Sequence, residues 1–244
     1  MPQSMSARIF VALIVVLGFL LIAEAIRNAH SLLTVRFAAF LVLAALAGKL
    51  KVKLPGVTGS MSMNLPFILL SVALRGGPEA AIVAFISSFA QSLPRGKQRL
   101  NPAQLAFNCS AITLAAAAAR FIYAAPVVSA WVGSPGLRLA VAAAGYFLVN
   151  TVTVALVISL TEKASVFGTW TEMFQLSFPY LVASAGVAGL ALTAGQGTGW
   201  QVPLAILPLM TGVFYSYRRY FGATAQALTS AGIEAAGVAA GARI

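Results

Sequence analysis

The sequence contains no aspartate, a single histidine (His30) and a single cysteine (Cys109); its acidic residues are five glutamates, and charged residues make up 9% of the 244. Each shortage removes a class of function. Intramembrane aspartyl cleavage needs a pair of aspartates. Zinc hydrolysis needs a cluster of His, Cys or carboxylate ligands, which one imidazole and one thiol do not supply. A serine–histidine pair would have to use His30, which stands close to Arg27 between apolar runs and reads as an interfacial residue. No glycine-rich phosphate loop stands between a strand and a helix. One cysteine makes no internal disulfide, so the redox compartment is not legible. The expectation is a protein that is not an enzyme, with no catalytic residue, no metal and no cofactor.

What the chain does have is apolar sequence. At 60% hydrophobic residues and a mean hydropathy of +0.91, it has too little polar surface to coat a water-soluble globule of this size, so it reads as an integral membrane protein. Sixteen Lys and Arg give a net charge of +11. In a soluble chain that excess would suggest nucleic acid; here the bases lie between apolar runs, where they set topology and meet anionic headgroups, and no nucleic-acid partner is expected.

Eight apolar segments follow one another, at 7–26, 32–47, 62–74, 79–93, 103–125, 139–160, 174–193 and 202–217. The first, Ile9 to Ala23 behind Arg8, reads as a retained transmembrane helix, although Ala23-Glu24-Ala25 imitates a signal-peptide cleavage site. Asn101-Pro102 predicts the start of a long helix. The stretch 161–172, with Glu162, Lys163, Trp170 and Glu172, reads as a loop, and 126–138 as an interfacial connection. With both termini cytoplasmic, eleven Lys and Arg fall inside and five outside, namely Arg27, Arg36, Arg75, Arg120 and Arg138. If the third segment is re-entrant or the first is removed, the count falls to seven. Residues 222–244 are rich in small residues and lack an amphipathic period strong enough to fold alone. No soluble domain is legible, so any catalytic output would come from another chain or from a part outside this sequence.

The chain is organised around Lys49 to Glu79. Three lysines on alternate positions (Lys49, Lys51, Lys53) precede a Pro55-Gly56 breaker, and Ser60, Met61, Ser62, Met63 and Asn64 then alternate in the manner of an extended strand. Leu65 to Leu74 follows as a short apolar helix, and Arg75-Gly76-Gly77-Pro78 predicts a tight turn. Polar, irregular backbone at membrane depth requires protein or a cavity around it, because unpaired groups in lipid cost several kcal/mol each. This stretch therefore reads as the lining of a site. Further amides recur at helical spacing: Gln104 with Asn108 and Tyr146 with Asn150 are each four apart on one face. The candidate ligand-binding residues are Thr58, Ser60, Ser62, Asn64, Gln91, Gln104, Asn108, Tyr146 and Asn150. Amides and hydroxyls without acid–base pairs suit a small neutral or amphipathic ligand; the alternative is that they bond across helices as packing contacts worth on the order of 1 kcal/mol each. Glu24 and Arg120 are charges inside apolar segments, each near a helix end and read as structural.

The run LPGVTGSMSMNLPFILLSVALRGGPEAAIVAF, with NPAQLAFN and YFLVNT, resembles the substrate-binding S-components of energy-coupling-factor vitamin transporters, and more closely the vitamin-uptake-like sensor modules of bacterial signalling proteins. The resemblance covers roughly residues 33–217. It implies an all-α, multi-spanning bundle with an S-component-like six-helix core at 32–221, preceded by an extra helix at 1–31 and followed by the tail at 222–244. It also implies a bacterial inner-membrane location and a vitamin-sized ligand, with the last helix passing the signal to a cytoplasmic output; the alternative is vitamin uptake. S-components dock on their partner through small residues four apart on the first core helix. The alanines at 38, 39, 44, 45 and 47 include no such pair, which favours the sensor. Expected partners are membrane lipids, the small molecule, and a second copy of the chain or a cytoplasmic signalling domain.

Overall fold

A computed structural model describes residues 5–29, 34–53, 60–93 and 101–198, with helical positions at 206, 208, 210–213, 215, 216 and 219. The elements are α1 (Met5–Asn28), α2 (Val35–Lys49), β1 (Lys51–Lys53), β2 (Ser60–Ser62), α3 (Leu65–Leu74), α4 (Gly77–Ser92), α5 (Pro102–Ala124), α6 (Pro126–Trp131), α7 (Pro135–Glu162) and α8 (Val166–Thr198). Among the described residues, four helices are long and apolar enough to cross a membrane: α1, α5, α7 and the Val166–Thr193 part of α8. The chain is an all-α membrane bundle.

The helices alternate between two ends. Phe10 packs on Phe107, and Asn28 shares a concavity with Arg120, so α1 and α5 run parallel. Asn108 reaches Ser92, so α4 runs against α5, and Trp170 reaches Thr151, so α8 runs against α7. One end carries the β1–β2 ribbon, here the ribbon end; the other carries the α3–α4 turn, here the turn end. α1 belongs to the packing rather than standing apart from it: Ser110 Oγ of α5 donates to Val15 O at 3.4 Å, and Phe19 meets Phe85 of α4 edge-on.

The extended alternation at residues 60–64 does form a strand. β1 and β2 pair antiparallel with Lys51 opposite Ser62 and Lys53 opposite Ser60, and Met63 N–H extends the ladder to Leu50 O. The strand takes the first residue of the apolar segment 62–74, and the short helix expected at Leu65 to Leu74 forms as α3, Leu65–Leu74, of 10 residues. At 1.5 Å per residue it is about 15 Å long, half of a bilayer core of roughly 30 Å. It is buried on all faces from Leu65 to Val72.

A half-length helix in a membrane exposes its end groups at depths where water does not reach, and other helices supply the partners here. At the start of α3, Leu65 N–H donates to Tyr180 Oη of α8 at 3.2 Å, and Pro66 has no N–H to satisfy. At its end, Arg120 Nη1 of α5 donates to Val72 O at 3.0 Å. Arg120 thus has the structural role read from its position. Gly76 then turns the chain with φ +120°, a conformation suited to glycine, and α4 returns.

Two connections differ from expectation. Residues 166–172 are helical: α8 begins at Val166 and the α7–α8 link is Lys163 to Ser165, with Lys163 in the left-handed region at φ 55°. Trp170 and Glu172 therefore lie on a helix. Phe167, Trp170, Phe174 and Phe178 stack in succession along it, so aromatic contacts at spacings of three and four sustain the turn that polar composition suggested was a loop. Within the expected connection 126–138, Pro126–Trp131 forms a short helix and α7 already begins at Pro135. Each starts on a proline, which fits the first turn of a helix.

Candidate functional site

The polar residues of the ribbon do not stay at the surface. Ser62 Oγ donates to Asn64 Oδ1 at 2.8 Å, and Asn64 Nδ2 donates to Ser87 Oγ of α4 at 3.1 Å; all three residues are buried. Tyr180 Oη donates to Ser62 O at 2.7 Å while accepting from Leu65 N–H. One phenol therefore ties the end of the ribbon, the start of α3 and the eighth helix together. Tyr180 lies 14 residues into α8, about 21 Å from the ribbon end of that helix. The polar chain thus penetrates to the middle of the bundle.

Around this chain stand further polar groups. Tyr146 of α7 is buried as well. Ser88 of α4 sits beside the Cys109 thiol of α5 without a well-formed hydrogen bond, and Ser184, one turn beyond Tyr180, has no partner for its hydroxyl. The carbonyl oxygen of the Gln91 side chain is likewise buried and unpartnered. Nearer the ribbon end, Asn108 Nδ2 donates to Ser92 Oγ at a long 3.4 Å. Close helix approach holds the cluster: a Cβ built on Gly48 of α2 would lie 2.6 Å from Ser87 O, so only glycine lets α2 lie so near α4.

The sequence-derived candidates divide accordingly. Ser62 and Asn64 meet where β2 leads into α3, Tyr146 is buried in α7, and Gln91 and Asn108 lie along the α4–α5 contact. Asn150 is half-buried one turn nearer the ribbon end than Tyr146 and makes no hydrogen bond among the described residues. Gln104 is exposed in the first turn of α5, where its backbone N–H caps on Asn101 Oδ1 at 3.3 Å; it stands away from the cluster despite sharing a face with Asn108. Ser60 lies in β2. Thr58, the Pro55-Gly56 breaker and His30 lie outside the described residues.

Sequence reading missed Ser87, Ser88, Tyr180 and Ser184. Tyr180 and Ser184 carry the same four-residue spacing that pointed to Tyr146 and Asn150, and that spacing was the available signal. It also missed Gly48, which with Ala44 gives α2 a small pair four apart; both are buried, and Gly48 faces α4 of its own bundle.

Fold and cluster together define a helical membrane protein with a short antiparallel ribbon whose last residue, Ser62, joins a buried polar cluster. No protein-family model matches the chain, and comparison with curated proteins and with solved structures finds no match.

Proposed function

We propose that this protein is a membrane receptor for a small, vitamin-sized molecule, bound among Ser62, Asn64, α4, α5, α7 and α8. The observation that carries this reading is the set of buried, unpartnered acceptors and hydroxyls (Ser88, Gln91, Ser184) beside the Ser62–Asn64–Ser87 chain. A buried polar group without a partner costs about 1–3 kcal/mol, and a ligand offering matching donors and acceptors would recover it. Amides and hydroxyls around an apolar wall orient a neutral or amphipathic molecule without demanding charge.

The ribbon and α8 share Tyr180, so a ligand that displaces Asn64 or Ser62 would also act on α8 and on the helical positions after it. That is a route from the site to a cytoplasmic output, operating as a population shift between two packings. The resemblance to vitamin-uptake-like sensor modules points the same way. Sidedness departs from the transporters: Arg8, the three lysines of 49–53 and Lys163 belong to element ends on the ribbon side, which the positive-inside rule assigns to the cytoplasm, whereas S-components open their binding loop outward. The Ala44–Gly48 pair is spent within the bundle and leaves no evident docking stripe for a transport partner.

The test is mass spectrometry of small molecules released from the detergent-purified chain, followed by binding to Ser88→Ala and Ser184→Ala. Removing an unpartnered hydroxyl should leave the unliganded fold as stable as wild type or slightly more so. Ligand affinity should fall about tenfold, or 1.4 kcal/mol. Unchanged affinity in both variants would displace the site. Translocation of radiolabelled ligand into proteoliposomes would replace the receptor with an uptake protein.

A further inference from the structure

A concavity of about 660 Å³ lies at the turn end, away from the polar cluster. It is lined by Asn28 of α1, the run from Leu74 to Glu79, and Arg120 of α5. Among the described residues that border it are two guanidinium groups, Arg75 and Arg120, and one carboxylate, Glu79. Arg120 uses Nη1 on Val72 O and keeps its remaining N–H groups. The guanidinium of Arg75 has no hydrogen bond or ion pair among the described residues; its backbone N–H alone is engaged, with Ser71 O. Glu79 is buried in the first turn of α4.

The surroundings of this concavity are apolar. Leu74 is 55% exposed and Phe121, next to Arg120, is 79% exposed. In a membrane protein such side chains face acyl chains. The site therefore offers planar, bidentate donors for an oxyanion at the level of the helix ends and apolar surface directly beside them. Guanidinium groups match phosphate geometry, and basic pockets between transmembrane helices suit lipid headgroups.

We propose that this vestibule binds the phosphodiester headgroup of an anionic membrane lipid, with Arg75 and Arg120 holding the phosphate and the acyl chains lying along Leu74 and Phe121. A water-borne phosphate ester would satisfy the same arginines but not the apolar flank, so the two sources separate by experiment.

The test uses the full chain, delipidated in detergent, titrated with phosphatidylglycerol and read by native mass spectrometry and thermal shift. Wild type should retain one lipid and gain thermal stability. Arg75→Gln should bind about tenfold more weakly while keeping the lipid-free melting temperature. Lys163→Gln, which removes an exposed cation from the opposite end, should bind like wild type. Equal binding by all three proteins, or equal weakening in both variants, would overturn the site. Glycerol phosphate that displaces the lipid or raises the melting temperature at comparable concentration would overturn the lipid assignment in favour of a soluble ester.

Discussion

Replacing Tyr180 with Phe removes one oxygen that serves two backbone groups, and the consequence can be worked from the geometry. The phenol accepts from Leu65 N–H at 3.2 Å and donates to Ser62 O at 2.7 Å, with both partners buried. Tyr180→Phe keeps the ring and its packing but strands a donor and an acceptor at mid-bundle. Measured interhelical hydrogen bonds in membranes average about 0.6 kcal/mol, so two give a lower figure of about 1 kcal/mol. A buried group left unsatisfied costs about 1–3 kcal/mol, so the upper figure is about 6 kcal/mol; relaxation of the ribbon should hold the loss to about 2–4 kcal/mol. The comparison is Tyr146→Phe, whose hydroxyl makes no hydrogen bond among the described residues and whose loss should cost less than about 0.5 kcal/mol. Unfolding in a graded SDS–dodecyl maltoside mixture gives the stabilities, and hydrogen exchange of peptides covering 60–68 reports the ribbon directly. In Tyr180→Phe that segment should exchange faster than wild type while the middle of α5 stays protected. Equal stability of the two variants, with unchanged exchange at 60–68, would refute the assignment of Tyr180 as the tie between ribbon and α8.

Other perturbations follow from the same contacts. Gly48→Val would place atoms within 2.6 Å of Ser87 O; prising α2 from α4 should cost about 1–3 kcal/mol, seen as a lower SDS midpoint and weaker ligand binding. Arg120→Met keeps the aliphatic stem but leaves Val72 O without its donor, a loss of about 1–3 kcal/mol that Arg120→Lys should partly restore in the same assay. Cys109 is buried between α4 and α5, so a maleimide should label it only after SDS denaturation; rapid labelling of the native protein would show that the α4–α5 contact opens.

Much of this architecture was legible because its signals are local. Serine and methionine alternation at 60–64 specified a strand, the Gly-Gly-Pro turn specified the α3–α4 reversal, and Asn101-Pro102 specified the start of α5. The short α3 was legible as the apolar run from Leu65 to Leu74. The start of α8 was not legible by composition: Thr171 and Glu172 read as loop, whereas stacked aromatics on the neighbouring positions decide the conformation. Asn64 stood out as an amide next to an apolar run. Tyr180 did not, because its partners lie 115 and 118 residues away in sequence and nothing local reports them. Gln104 shows the converse limit. Four-residue spacing puts it on one face with Asn108, but the first turn of α5 lies beyond the helices that bury that face.

The two caps of α3 also set an order of events in time. Leu65 leaves the ribosome 115 residues before Tyr180 and Val72 leaves 48 residues before Arg120. At 5–20 residues per second, the start of α3 waits on the order of 6–23 s for its phenol. Through that interval the segment is too short to span a bilayer alone and its end groups lack their permanent partners, so it must be kept wet or held by the insertion machinery. The hydrogen bonds that tie Ser62 and Leu65 to Tyr180 form only when α8 arrives, so the start of α3 is among the later parts of the interior to be completed.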